Sequence, residues 1–395
     1  MPKARKPSLT PEEARQLHYE ALVIDAQQPP TTYGFLYNDN MRANMKECLA
    51  QGLSRGETSR IMSAMIASEV QHNPKAREEY INFWRRSGVT VASGTYGDTG
   101  PFETQFEDSV RRIAQARGII DSLGGEMVLV RKAADIERAH RTGNHGLIID
   151  FQDTVPFGSD LDRVEVFFNM GLRVVQLTYN LRNLVGDGCA EIHKSGVTRF
   201  GKAMIERLNS LKMVVDVSHS CEQVGWDAMD ISTSPVVVTH ANPSALVMHD
   251  RAKSDKFAKA IADQGGFFGV TIIPGYLQEG FEATLDHFVD HVEHLVNVMG
   301  IDHVGIGNDK CGPGPSTDSM IEFPKEMRGA RPGAFNWAGF RPEHRVDGEY
   351  HIVGYENFAD WPNLTIALAR RGFNEEELRK LLGLNYLRVF RDIVG

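Results

Sequence analysis

Nine short runs rich in Val, Ile, Leu and Phe punctuate this chain, apolar along most of their length rather than at alternate positions, and segments of helix length separate them. Runs of that kind mark strands buried on both faces of a parallel sheet, because a sheet with one wet face would alternate apolar and polar residues. They are Leu22 to Asp25, Val89 to Ser93, Met127 to Val130, Gly146 to Asp150, Arg173 to Thr178, Met213 to Ser218, Val236 to Thr239, Phe267 to Ile272 and His303 to Gly307. An α/β fold of the (β/α)8 TIM-like barrel type absorbs eight of them and leaves Met127 to Val130 as an accessory strand. A doubly wound open sheet is the other architecture the series permits. The 395 residues fit one elaborated barrel domain as readily as two or three ordinary ones.

Between the runs, Thr10-Pro11-Glu12-Glu13 has the form of a helix start, with Thr10 as N-cap, proline at the first helical position and Glu13 closing a capping box. Residues 40–86 are rich in Met, Ala, Arg and Glu and form a helical insertion, and residues 310–360 form a long Gly/Pro-rich loop. Two helices, Asn363 to Arg371 and Asn374 to Val394, close the chain.

Lys and Arg number 43 against 52 Asp and Glu, a net charge of −9, which argues against nucleic-acid or anionic-membrane partners. Cys48, Cys189, Cys221 and Cys311 are far apart, so neither a disulfide framework nor a zinc ribbon is expected. No apolar stretch approaches a membrane span, and the basic Met1 to Lys6 leads into no apolar core of a signal sequence; a cytoplasmic protein is expected.

In a parallel sheet or barrel the chemistry gathers where the strands end, so the polar residue closing each run carries the information. Those residues are Asp25, Asp150, Thr178-Tyr179, His219, His240 and Asp309. Two imidazoles with carboxylates form a donor set suited to zinc, manganese or iron. Each also has a plainer reading. A lone strand-end histidine is commonly a hydrogen-bonded structural residue, and Asp150 and Asp309 could cap the helices after them. His219 and His240 close consecutive strands, which favours a shared site. His287, His291 and His294 follow one helical face and are expected to be solvated, and Asp216 is expected to be a buried structural carboxylate.

The stretches Gly171 to Asn180, Asn183 to Gly188, Gly196 to Gly201, Asp216 to His219, Pro235 to His240, His249-Asp250-Arg251, Gly305 to Asp309 and Leu382 to Val389 together resemble the renal (membrane) dipeptidase family, peptidase family M19, in its bacterial branch. The resemblance implies a metal-dependent (β/α)8 barrel that cleaves dipeptides on two zinc ions, and homodimerisation. It implies that His219 and His240 bind the second metal, that Asp309 contacts the first metal and handles the proton, and that Arg251 gathers the substrate carboxylate as a bidentate donor.

Departures from the family pattern cluster on one side. Gln27 and Pro29 stand where the family has a His-x-Asp metal pair, Asp150 stands for a bridging glutamate, and Tyr179 replaces a histidine that polarises the scissile carbonyl, though its phenol can still donate to an oxyanion. Asp150, His219 and His240 remain as three ligands with an open position, the pattern of a catalytic ion, while the first site keeps Asp309, helped at most by Asp25. One divalent metal or none, with zinc as the ion, is therefore expected rather than two. The leading reading is a mononuclear metallohydrolase cleaving a dipeptide or other small carboxylate-bearing amide by a metal-activated water, with Asp309 as base, Tyr179 at the oxyanion and Arg251 on the carboxylate. Elimination, isomerisation or deformylation of a small carboxylate on the same barrel is an alternative, and a catalytically inactive binding protein is another.

Overall fold

Strands appear at all nine apolar runs in the computed structural model, which describes residues 6–28, 36, 38–53, 55–97, 103–280, 282–310, 345 and 351–395. In chain order they are β1 (Ile24–Asp25), β2 (Val91–Thr95), β3 (Met127–Leu129), β4 (His145–Phe151), β5 (Leu172–Gln176), β6 (Val214–Asp216), β7 (Val236–Ala241), β8 (Phe268–Val270), β9 (Glu282–Thr284), β10 (Val304–Ile306) and β11 (His351–Val353). Eight lie side by side in the order β1-β2-β4-β5-β6-β7-β8-β10, each pair parallel. The two ends of this series meet, since the Ala26 amide donates to Ile306 O at 3.0 Å. The sheet is thus a nearly closed barrel, not a doubly wound open sheet.

β3 stands outside the ring as an accessory strand. It pairs with the lower part of β4, from Met127 opposite His145 to Leu129 opposite Leu147, and β5 takes the upper part after a register shift at Ile149 and Asp150. β9 and β11 form a separate two-stranded parallel ribbon that no apolar run announced.

Successive strand residues point to opposite faces, and here both faces are buried. Val91, Ile148, Val174, Val214 and Val237 form one apolar cluster with Tyr386, Leu387 and Phe390 of the C-terminal helix, which thereby plugs the barrel interior. Their chain neighbours Ala92, Leu147, Ile149, Val175, Val215 and Val238 belong to the larger cluster shared with the surrounding helices. Asn385 anchors the plug by donating to Ile301 O at 2.6 Å and Val304 O at 2.7 Å. Two residues beyond each interior apolar position the same face turns polar, giving Ser93, Asp150, Gln176, Asp216 and Thr239, all buried. This polar layer lies at the C-terminal ends of the strands, opposite the plug.

The capping box at Thr10 and Glu13 starts a helix over Pro11–Glu20. Residues 39–87 form three helices, Asp39–Ala50, Arg55–His72 and Pro74–Ser87. The penultimate helix begins at Trp361, two residues earlier than the sequence pattern suggests, with Pro362 in its first turn, and a π-helical turn at Lys380–Leu384 interrupts the last one. Most of the 310–360 segment, with Cys311, and the basic Met1 to Arg5 lie outside the described residues.

Candidate functional site

The polar layer frames three side chains whose ligand atoms lie within 4.8 Å of one another: His219, His240 and Asp309. His219 follows β6, His240 is the fifth residue of β7, and Asp309 follows β10, so the three loops of the barrel rim converge as parallel strand ends must. His219 Nε2 and His240 Nε2 are 3.0 Å apart, and His240 Nε2 is 3.8 Å from Asp309 Oδ2. Asp309 holds a left-handed backbone, φ +55°, and its amide donates to Gln27 O at 2.7 Å. Such a conformation costs a non-glycine residue free energy and is tolerated best by Asp and Asn, so the turn is set by the surroundings.

The other ring nitrogens fix the tautomers. His219 Nδ1 faces the side-chain oxygen Oδ1 of Asn180 at 2.6 Å, an acceptor only, so Nδ1 carries the proton. The Thr239 hydroxyl donates to Asp216 Oδ2 at 2.6 Å and so meets His240 Nδ1, 2.8 Å away, as an acceptor. Both Nε2 atoms therefore present lone pairs to each other at 3.0 Å, a repulsive pairing unless an electrophile sits between them. Burial, and next the Arg251 charge, hold both imidazoles well below the usual histidine pKa, so they stay neutral, the form a metal takes.

The carboxylates around them are shifted the other way. Asp150 is pushed well above the ordinary carboxylate range by burial, Asp309 up to about 7 by burial, and Asp25 up to about 8 by burial against three hydrogen bonds. Three carboxyl groups whose negative form is disfavoured around two neutral imidazoles make an environment that a cation relieves.

Asp150 does not cap a helix. Its Oδ2 accepts from Ser93 Oγ at 2.9 Å while Oδ1 is buried without a partner, and it lies outside the three-residue group. Asp25 is also outside it, with Oδ1 accepting from the amides of Gln27 at 3.3 Å and Asn308 at 2.9 Å and Oδ2 from Trp361 Nε1 at 3.1 Å. At the place where the resemblance implies a His-x-Asp metal pair, Gln27 Nε2 and Gln28 Oε1 are buried without partners, and Pro29 lies outside the described residues. Tyr179 stacks on the His219 imidazole, centroids 4.1 Å apart. Arg251 is buried, donating from NH1 to Ser218 O and from NH2 to His240 O at 2.9 Å, with Nε left without a partner.

Asp216 is a structural carboxylate that accepts four hydrogen bonds, from the amides and hydroxyls of Ser218 and Thr239. The expectation of a solvated histidine face needs correction. His291 is buried, with Nε2 3.0 Å from Leu277 O, because it shares a stripe with Phe288, Val292 and Leu295; His294 contacts Asp255 at 2.7 Å and His287 belongs to a capping box. Asn180, Thr239 and Ser218, which hold the histidines and Asp216, were not singled out from the sequence. The signal was there: each sits within two residues of a strand-end residue that was.

Residues 56–322 and 346–394 match the family described as membrane dipeptidase, peptidase family M19, a match that starts inside the helical segment over 40–86. Over 292 residues, 73% of this chain, the sequence is 28% identical to "Dipeptidase tcpJ" of Claviceps purpurea, and the match spans only 60% of that relative's length. An "Uncharacterized protein in pqqA 5'region" of Klebsiella pneumoniae is 28% identical over 72% of this chain and 95% of its own. An amidohydrolase structure from Pseudomonas aeruginosa superposes with a TM-score of 0.72 at 27% identity, covering 98% of this chain and 100% of that one. A metallo peptidase from Rhodobacter sphaeroides liganded with a phosphinate mimic of the dipeptide L-Ala-D-Ala shares the fold, with a TM-score of 0.68 at 19% identity over 83% of this chain and 96% of that one.

Proposed function

The chain belongs to the membrane dipeptidase family, peptidase family M19, and on that premise we propose a mononuclear metallohydrolase that cleaves a dipeptide or another small amide bearing a free carboxylate. The observation that carries the reading is the pair of Nε2 lone pairs 3.0 Å apart with Asp309 beside them. The orphaned Oδ1 of Asp150 supports it, as a buried oxygen that a cation would satisfy. His219, His240 and Asp309 would hold the ion, zinc by the mixed nitrogen and oxygen donor set, with Asp150 as the nearby additional carboxylate.

A divalent ion held there would supply Lewis acidity and would activate a water near neutral pH. Asp309, whose pKa burial pushes up to about 7, is placed to accept a proton from the attacking water and to return it to the leaving amine. The Tyr179 phenol donates to the carbonyl oxygen as it gains charge. Arg251 keeps Nε for the substrate carboxylate, and one N–H on each of its two terminal nitrogens is spent on a strand-end carbonyl, which fixes the guanidinium relative to both histidines. Pairing of two copies of the chain is part of the same reading by family likeness. Among the described residues no helix is long and apolar enough to cross a membrane.

The test is amine release from a dipeptide panel. The purified protein is expected to cleave some members, to lose that activity on dialysis against a chelator and to regain it with zinc. A metal-loaded protein that leaves every dipeptide intact would contradict the peptidase reading.

A further inference from the structure

A cleft of about 560 Å³ lies between the segment that follows His219, from Ser220 to Glu222, and the segment from Ser244 to Lys253. None of the three clustered residues, nor Arg251, lines it. Its floor holds Lys253, only 1% exposed, whose ammonium donates to Ser220 O at 2.5 Å, the carbonyl next along the chain from His219. An ammonium has three donors; the ring of Phe257 lies 5.8 Å from Nζ, and Ser220 O is the one hydrogen-bond acceptor found for it among the described residues. A second cation on the lining, Arg345, donates from Nε to Gly275 O at 2.8 Å and keeps a buried NH2 without a partner.

The two acids on the lining are engaged elsewhere, and Glu222 reaches Lys253 only through its charge. Glu222 accepts from the amide and the hydroxyl of Ser254, the latter at 2.9 Å, and Asp250 lies 3.5 Å from Lys194. Two cations with donors to spare in one recess are costly to bury unless an anion enters. The volume is that of an ordinary small-molecule site.

We propose that this cleft seats a second carboxylate of the substrate, carried on a side chain, so that acidic dipeptides are the preferred substrate class. The assignment rests on the dipeptidase reading. Arg251, tied between the carbonyls of Ser218 and His240, addresses the terminal carboxylate, and Lys253, tied to Ser220, addresses the other. A charge-assisted hydrogen bond from a buried cation distinguishes a carboxylate from the isosteric amide by roughly 10- to 100-fold.

The experiment compares Ala-Glu with Ala-Gln on the metal-loaded protein, by kcat/KM and by shift in melting temperature. In the unmodified protein Ala-Glu is expected to be favoured by about 10-fold or more. In Lys253→Met that ratio falls to about one, whatever factor the substitution imposes on both peptides alike, and in Lys253→Arg most of the preference is kept. If Lys253 only staples Ser220, both peptides slow together and the ratio stands, which overturns the proposal; so does equal use of the two peptides by the unmodified protein. If neither peptide is cleaved, the dipeptidase reading fails by itself and the melting shift decides the cleft: stabilisation by Ala-Glu that Lys253→Met abolishes supports it, and no stabilisation contradicts it. Stabilisation by inorganic phosphate equal to that by Ala-Glu makes the cleft a site for a separate anion and also overturns the substrate assignment.

Discussion

His240→Ala is expected to leave the protein without its metal. The imidazole provides one of three clustered donor atoms that could hold an ion, and its Nδ1 side is held by Thr239, whose hydroxyl keeps its bond to Asp216 when the ring is gone, so the fold loses little. Losing an outer hydrogen-bond partner of a ligand typically costs about 10- to 100-fold in metal affinity, and losing the ligand itself costs more. Metal content measured by elemental analysis should fall from about one per chain to near zero, and amide hydrolysis should fall below detection together with it. His219→Ala should behave alike, because its Nδ1 partner Asn180 belongs to the rim rather than to the core. A full metal complement in either variant would remove that residue from the ligand set.

Asp216→Ala carries the largest expected loss of stability. The carboxylate accepts from two backbone amides and two hydroxyls in the buried polar layer, and alanine leaves these four donors without an acceptor where water has little room. Each unsatisfied buried polar group costs on the order of 1–3 kcal/mol, so a total of about 4 kcal/mol after relaxation is expected, readable as a lowered urea midpoint. The same change frees the Thr239 hydroxyl to rotate and unsettles His240 Nδ1, so metal affinity should fall in parallel by about 10- to 100-fold. Asp216→Asn keeps the acceptor oxygen and should recover part of both effects. An alanine variant as stable as the parent would show that the network does not hold the rim.

The barrel was legible because burial on both faces writes itself into a strand as an unbroken apolar run, and the same runs exposed the strand-end residues His219, His240 and Asp309. β3 could be read as accessory only because eight other runs were stronger; that it shares β4 with β5 depends on a register shift that no local pattern encodes. The polar layer was partly legible. Ser93, Gln176 and Thr239 follow interior valines by two residues, so parity places them inside, but parity does not say which hydroxyl donates to which carboxylate. His291 was misjudged because spacing defines a helical face without saying which way it points, and the neighbouring Phe288, Val292 and Leu295 held that information. The family likeness pointed to Arg251 as a carboxylate-gathering residue, but nothing in the sequence shows that its two terminal nitrogens also donate to the carbonyls of Ser218 and His240. Lys253 left no mark in the sequence, since its burial arises from two loops meeting across the barrel rim.

The proposed reading places a single ion on His219, His240 and Asp309, and Gln27 stands where the family likeness has a metal-binding histidine. Elemental analysis of untagged protein, purified without added metal and again after zinc reconstitution, tests it most directly. About one divalent ion per chain in the reconstituted protein is the result this account predicts. About two would show that a second site forms despite Gln27, and a protein that takes up none would contradict the metal centre itself and turn the barrel into a metal-free enzyme or a binding protein.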